Sequence, residues 1–253
     1  MKKTALLAAV AALFVATPAL AQSGGHVGVG YASTSADDDD DAETWQLEGA
    51  FGGASGSIGY QLDAGVGNTE FEGDDGDHTT LAGHLYWNGG GWRLGGVYAT
   101  TNLDDGTFDL DETVYGVEGT FDLGANTVII GSYTQGETEF LVDLDSWNAD
   151  FGLRHYFSDN LRVSGTIGTG NLDAGGGDFD TTSYGLGAEW QPWTTPVSFR
   201  IGWDRFEADD VFEDIDTLSI GARWNFGGSL RARDNATPFE TRTGLYQRAY
   251  ALQ

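Results

Sequence analysis

The sequence predicts an all-β fold: a transmembrane, antiparallel, up-and-down β-barrel of twelve strands, with long acidic extracellular loops and short periplasmic turns. Three observations predict it. Segments alternate apolar and polar residues with period two from residue 26 onward. The connections alternate as well, one short and nearly uncharged, the next long and acidic. An export signal stands in front. Period-two alternation marks strands with two unlike faces. Loops sorted by end mark an outer-membrane barrel, whose turns are short on the periplasmic side and longer outside.

The signal occupies residues 1–21. Lys2 and Lys3 form its positive start, residues 5–15 its apolar core, and Ala19-Leu20-Ala21 its cleavage site before Gln22. The apolar run is too short to anchor in a bilayer. The chain contains no cysteine, which excludes a disulfide-stapled domain and an acylated lipoprotein. No later run of apolar residues is long enough for a helical span. A net charge of -27 excludes nucleic acid as a partner, because phosphates need basic residues. Such acidity can also signal disorder, but the aromatic content and regular alternation point to a packed fold.

The twelve predicted strands cover residues 26–34, 44–51, 57–67, 79–87, 91–101, 113–121, 127–135, 146–157, 161–169, 182–191, 197–204 and 217–226. Most have the length of a tilted membrane strand, about 9–11 residues. By parity the first four present Val29, Trp45, Leu62 and Leu85 to lipid. The next set presents Leu94, Val117, Phe151 and Leu153, and the last three Leu186, Ile201 and Ile220. Residues 127–135 are ambiguous, because Val128, Ile129 and Ile130 are consecutive. Trp and Tyr gather near segment ends, as in the aromatic girdles of membrane barrels.

The short connections, 52–56, 88–90, 122–126, 158–160 and 192–196, are rich in Gly, Asn, Asp and Pro. The long ones, 35–43, 68–78, 102–112, 136–145, 170–181 and 206–216, hold most of the carboxylates and no Lys or Arg. These acids are expected to concentrate cations at the mouth, and a saline habitat is an alternative origin for them.

The repeated strands ending in aromatics, the stretch FGLRHYFSDN (151–160) and the closing GARWNF (221–226) resemble the porin-like outer-membrane barrels of alphaproteobacteria. The resemblance covers residues 25–226. It implies an outer-membrane location, with both termini periplasmic, surrounded by lipid and lipopolysaccharide. It also implies that the barrel insertion machinery reads the last strand through Trp224 and Phe226. In that family the chain usually ends on this aromatic residue, whereas here residues 227–253 follow. This tail carries Arg231, Arg233, Arg242 and Arg248 against Asp234 and Glu240. Two readings are open for it: a flexible periplasmic extension, or a segment that folds back on the acidic barrel.

The opposite parity lines the lumen with Glu48, Asp63, His84, Arg93, Glu118, Asp150, Arg154, Arg162, Glu189, Arg200, Asp204 and Arg223. Many neighbours on that face are Gly, Ala, Ser or Thr. Twelve strands give a backbone diameter of roughly 24 Å and a free width of roughly 10–12 Å where side chains are small. The expected function is passive diffusion of ions or small polar solutes, with mild cation preference. The competing reading is a non-conducting surface barrel with a salt-bridged interior. Its acidic loops would bind divalent cations, lipopolysaccharide or another cell.

No cofactor is expected beyond loosely bound divalent cations. Asp37, Asp39, Asp41, Asp74, Asp75 and Asp77 are weak candidates for these, since they supply carboxylate oxygens without the spacing of a calcium loop. Enzyme activity is not expected. His26, His78, His84 and His155 are scattered, and no serine stands beside them in a hydrolase motif.

Overall fold

The computed structural model describes residues 23–36, 41–71, 74–104, 109–139, 143–175, 177–192, 195–208 and 212–240. Twelve strands follow in chain order: β1 (Ser23–Ser35), β2 (Asp41–Ser55), β3 (Ile58–Phe71), β4 (Asp74–Asn88), β5 (Trp92–Asp104) and β6 (Asp109–Leu123). The second half holds β7 (Thr127–Glu139), β8 (Asp143–Ser158), β9 (Leu161–Asp173), β10 (Asp178–Trp190), β11 (Val197–Ala208) and β12 (Phe212–Phe226). Each pairs antiparallel with its sequence neighbour, and β1 pairs with β12, so the sheet closes. The closing seam runs from Gly25 opposite Phe226 to Ser35 opposite Asp216. Closure leaves no unpaired edge, the condition for a sheet to span lipid. One short helix, α1 (Leu230–Ala236), follows the last strand.

Outward side chains form the apolar belt that the parity predicted. Trp45, Leu85, Leu94, Val117, Phe151, Leu186, Ile201 and Trp224 are each more than half exposed. So much apolar surface is stable only against lipid. The ambiguous segment resolves too. Ile130 and Ser132 line an internal cavity, while Tyr133 is exposed on the outside.

The acidic connections are a correction. They are mostly strand, not loop. The ladder continues through the Asp77–Asp104 and Glu137–Asp145 register positions, and only a few residues separate successive strands at this end. Strands of 12 to 16 residues at about 3.3 Å per residue stand taller than the roughly 25 Å apolar band of such barrels, even when tilted. Backbone pairing does not require apolar side chains, so the wall extends beyond the membrane.

The parity of this extension decides where the acids point. Glu43, Glu70, Asp75, Asp104, Asp111, Glu137, Glu139, Asp143, Asp145, Asp173 and Asp178 are exposed. They share the outward face with Trp45, Tyr98, Tyr115 and Trp147. They therefore ring the outside of the wall above the belt, rather than the rim of the lumen. Many stand directly opposite one another: Glu43 and Glu70, Asp77 and Asp104, Asp111 and Glu139, Asp145 and Asp173. Three hairpins soften this with an asparagine opposite an aspartate: Asn68 with Asp77, Asn102 with Asp111, Asn171 with Asp180.

Candidate functional site

All twelve residues expected on the lumen face lie on the inner wall. They do not line an empty tube. Residues 227–240 turn into the barrel at its short-turn end and pack against the wall as far as Glu240. A flexible extension does not describe this part of the tail, and residues 241–253 lie outside the described residues. Gly227 and Gly228, at φ 99° and 111°, make the reversal in a region open chiefly to glycine. Ser229 caps α1, accepting the Ala232 N–H at 3.2 Å. Two glycines on the inner wall make room for the helix. A Cβ at Gly24 would stand 3.0 Å from Ala236 Cβ, and one at Gly52 would stand 2.2 Å from the Ala236 carbonyl oxygen. Leu230 is fully buried at this end. Arg231 spans the turns, with its N–H donating to Asp159 O at 3.0 Å and its guanidinium to Asn126 Oδ1 and Ala125 O.

Charge then organises the interior. Arg233 grips Glu189 with both nitrogens, Nη1 to Oε1 at 2.6 Å and Nη2 to Oε2 at 2.9 Å. This planar fork-to-fork pairing is the strong geometry for an arginine. Glu189 also receives Arg162 at 3.1 Å and Arg223 at 3.2 Å. Asp234 accepts from Tyr156 Oη at 2.7 Å and from Arg162 Nη1 at 3.0 Å. Burial pushes the Asp234 carboxyl up, but Arg162, Arg233 and Arg154 together outweigh it and hold the group at about 2. A depressed value means that the docking it supports is present above the ordinary aspartate range and is lost only as the pH falls towards 2.

Glu48 ties the seam. It lies on β2 and receives Arg223 of β12 at 2.8 Å and Arg200 of β11 at 3.4 Å, across the intervening β1. Gly28 permits the crossing, since a Cβ there would meet Arg223 Cγ at 2.8 Å and Glu48 Oε1 at 2.9 Å. Farther round the wall, His84 sits between two carboxylates. Its Nδ1 is 2.6 Å from Glu118 Oε1 and its Nε2 is 2.9 Å from Asp63 Oδ2. An imidazolium donating from both nitrogens satisfies all three groups. With both nitrogens taken, this histidine has none left to activate a nucleophile.

The tail ends against this triad. The Phe239 ring stacks on His84 at 5.6 Å and meets Tyr86 edge-on at 5.2 Å. Gln61 clamps the Phe239 backbone, donating from Nε2 to its carbonyl at 3.0 Å and accepting its N–H at 3.1 Å. Glu240 receives Arg154 at 2.9 Å. Of the remaining residues, Arg93 reaches Asn235 Oδ1 at 3.3 Å, Asp150 receives the Ser132 hydroxyl at 3.0 Å, and Asp204 is buried near Ser219 and Gly202.

Free space survives on both sides of the tail, with about 50 Å³ left against Gln61, Asp63 and Thr80. A cavity of about 80 Å³ lies between Phe239, Glu240 and the wall at Ser132, Asp150, Thr166 and Ser183. A second, of about 40 Å³, adjoins Ser164, Arg200 and Asp204. Each holds more than one water, since a single water needs about 10–15 Å³ by this measure. The sequence names Arg233 and Asp234 only as tail charges, not as part of the lumen site, and does not single out Phe239 or the inward tyrosines Tyr86 and Tyr156. Of the cation candidates, Asp37 and Asp39 lie outside the described residues, as does the side chain of Asp74. Asp41, Asp75 and Asp77 stand on the extended strands. Among the described residues, no group of three or more His, Asp or Glu is arranged to hold a metal ion. His78, expected in a loop, is buried on β4 and faces inward over Gly67.

No family model and no curated protein matches the sequence. Solved structures match by fold. An outer-membrane channel from Pseudomonas putida F1 superposes with a TM-score of 0.62 at 12% identity, over 83% of this chain and 97% of that one. The translocator domain of the autotransporter NalP from Neisseria meningitidis gives 0.53 at 11% identity, over 88% and 94%. KdgM porin in complex with disordered oligogalacturonate gives 0.52 at 5% identity, over 78% and 98%. At these identities the likeness establishes the bacterial outer-membrane barrel fold.

Proposed function

We propose that this chain is a porin-like channel of the bacterial outer membrane, through which ions and small polar solutes diffuse, and that it is not an enzyme. The observation that carries this reading is the free space left between the tail and the inner wall of β7 to β11, into which Ser132, Asp150, Thr166, Ser183 and Asp204 face. The short-turn end and both termini face the periplasm in this reading. Planar-bilayer recording tests it, and a barrel that inserts but never conducts would sink it.

The outward position of the carboxylates sharpens the selectivity. The carboxylates stand about 16 Å from the barrel axis, the backbone radius of roughly 12 Å plus an outward side chain. The Debye length is about 30 Å at 0.01 M salt, about 8 Å at 0.15 M and about 3 Å at 1 M. Their field therefore reaches the lumen only in dilute salt. The permeability ratio of potassium to chloride is expected to be about 2–5 at 0.01 M and to approach one at 1 M. Reversal potentials across salt gradients measure it. Anion preference at 0.01 M, or a ratio insensitive to salt, is the contrary result.

A second reading is favoured by the register of those acids. Like charges directly opposite across a ladder destabilise it, and the pairs recur around the wall. They stand at the height of lipid headgroups, where divalent cations with carboxylate and phosphate oxygens would couple the barrel to lipopolysaccharide. Chelation by EDTA in lipopolysaccharide-containing vesicles is expected to lower the unfolding temperature by several degrees, about 1–2 kcal/mol for a chain of this size. Magnesium should restore it, and no shift in either direction would dismiss the coupling.

A further inference from the structure

We propose that the short-turn end of the lumen is a peptide-binding site whose ligand is the chain's own segment 229–240, held reversibly. Four observations point to a site with a ligand rather than to a single fused core. The barrel closes entirely without the tail, because β1 and β12 pair along their length. The covalent link from the wall to the segment is Gly227 and Gly228, both at positive φ and without side chains of their own, and Gln191 Nε2 holds the Gly228 carbonyl at 3.1 Å. Recognition is by features that would read any peptide of suitable sequence. Gln61 pairs with both the N–H and the carbonyl of one residue, His84 offers its face to an aromatic ring, and Glu189 takes a guanidinium end-on. The segment also fills its site incompletely, with a cavity of about 50 Å³ between it and Gln61, Asp63 and Thr80 and the 80 Å³ cavity along Phe239 and Glu240.

The ligand class follows from these contacts. It is a short peptide that presents an arginine and, six residues later, an aromatic residue followed by an acid, as in Arg233, Phe239 and Glu240. While docked, the segment narrows the passage. Released, it opens the short-turn mouth. That consequence rests on the channel reading, whereas the docking equilibrium does not.

The chain has no cysteine, so introduced thiols are unambiguous. Ala236 is 7% exposed. Ala236→Cys in the otherwise full-length protein, folded in vesicles, should react with a charged maleimide at a measurable rate, at least tenfold below that of a free thiol. Adding Gln61→Ala or Phe239→Ala should accelerate it, and excess synthetic peptide of sequence 229–240 should do the same by competing for the wall. Labelling only after unfolding would overturn the proposal, because the segment would then be a permanent part of the core. Labelling at the free-thiol rate would overturn it equally, because nothing would be docked. Heat-modifiable gel mobility confirms folding in each case.

The pair Gly24→Cys and Ala236→Cys supplies a lock. The Cβ separation of 3.0 Å is a few tenths of an ångström short of the usual disulfide range of about 3.5–4.5 Å. Oxidation should abolish any peptide-induced change, and reduction should restore it. If the labelling behaves as expected but neither state conducts, the binding site stands and the channel reading falls.

Discussion

Ending the chain at Phe226 is expected to raise single-channel conductance by about fivefold or more. The open lumen is roughly 10–12 Å wide on strand geometry, and a helix with its side chains is about 10 Å across. With α1 in place almost the whole section at the short-turn end is filled, and Leu230 has no exposed surface there. The truncation should not unbalance the interior. Among residues 227–240 it removes Arg231 and Arg233 together with Asp234 and Glu240, so the net charge of the described segment is zero. Glu189 keeps Arg162 and Arg223, and His84 keeps both carboxylates. Water can then solvate what the tail had covered. Conductance equal to that of the full chain, in a barrel shown to be folded, would mean that the tail does not obstruct the path.

Glu189→Ala is expected to cost about 3–5 kcal/mol, the price of leaving buried arginines without their counter-charge. Three guanidiniums converge on this carboxylate: Arg162, Arg223 and Arg233. It also accepts the Ser198 hydroxyl at 2.5 Å. No surface ion pair approaches this, since exposed pairs contribute roughly 0–1 kcal/mol. Urea unfolding in vesicles measures the loss. In the chain already truncated at Phe226 the cost should be smaller, because one of the three arginines is gone. A loss below about 1 kcal/mol in the full chain would show that water compensates the arginines and that the lumen is wetter than its packing implies.

The barrel was legible because it rests on a binary pattern. Twelve segments with one apolar face can close only one way in lipid, and each predicted segment lies within or nearly within one strand. The strand ends above the membrane were not legible. There the outward residue changes from Trp or Tyr to Asp or Glu, and composition alone reads an acidic stretch as a loop. The alternation was still present, with Glu43, Glu137 and Asp145 on the parity of Trp45, Gln135 and Trp147. The docking of the tail stays one of two open readings in the sequence, for another reason. It depends on contacts between residues distant in sequence, such as Gln61 with Phe239, and no local periodicity records them. Two signals did exist. Tyr86 and Tyr156 stand on the inward parity, and a large ring facing a polar lumen needs something to pack on. Gly-Gly-Ser before Leu230 also spells a reversal followed by a helix cap.

The arginine of β12 that reaches Glu48 has a consequence for the order of assembly. Its two ends are 175 residues apart in sequence, so this contact cannot form until nearly the whole sheet exists. Non-local pairing of this kind is slow, because loop-closure entropy is lost before contact energy is gained. The bond fastens strands on either side of β1, and it does so only once the seam is shut. It therefore works as a late check on the register. A first strand slipped by one residue would present a side chain where Gly28 must lie, and the arginine could not cross. Replacing Gly28 should therefore slow maturation of the barrel in pulse-chase experiments more than it weakens the finished protein.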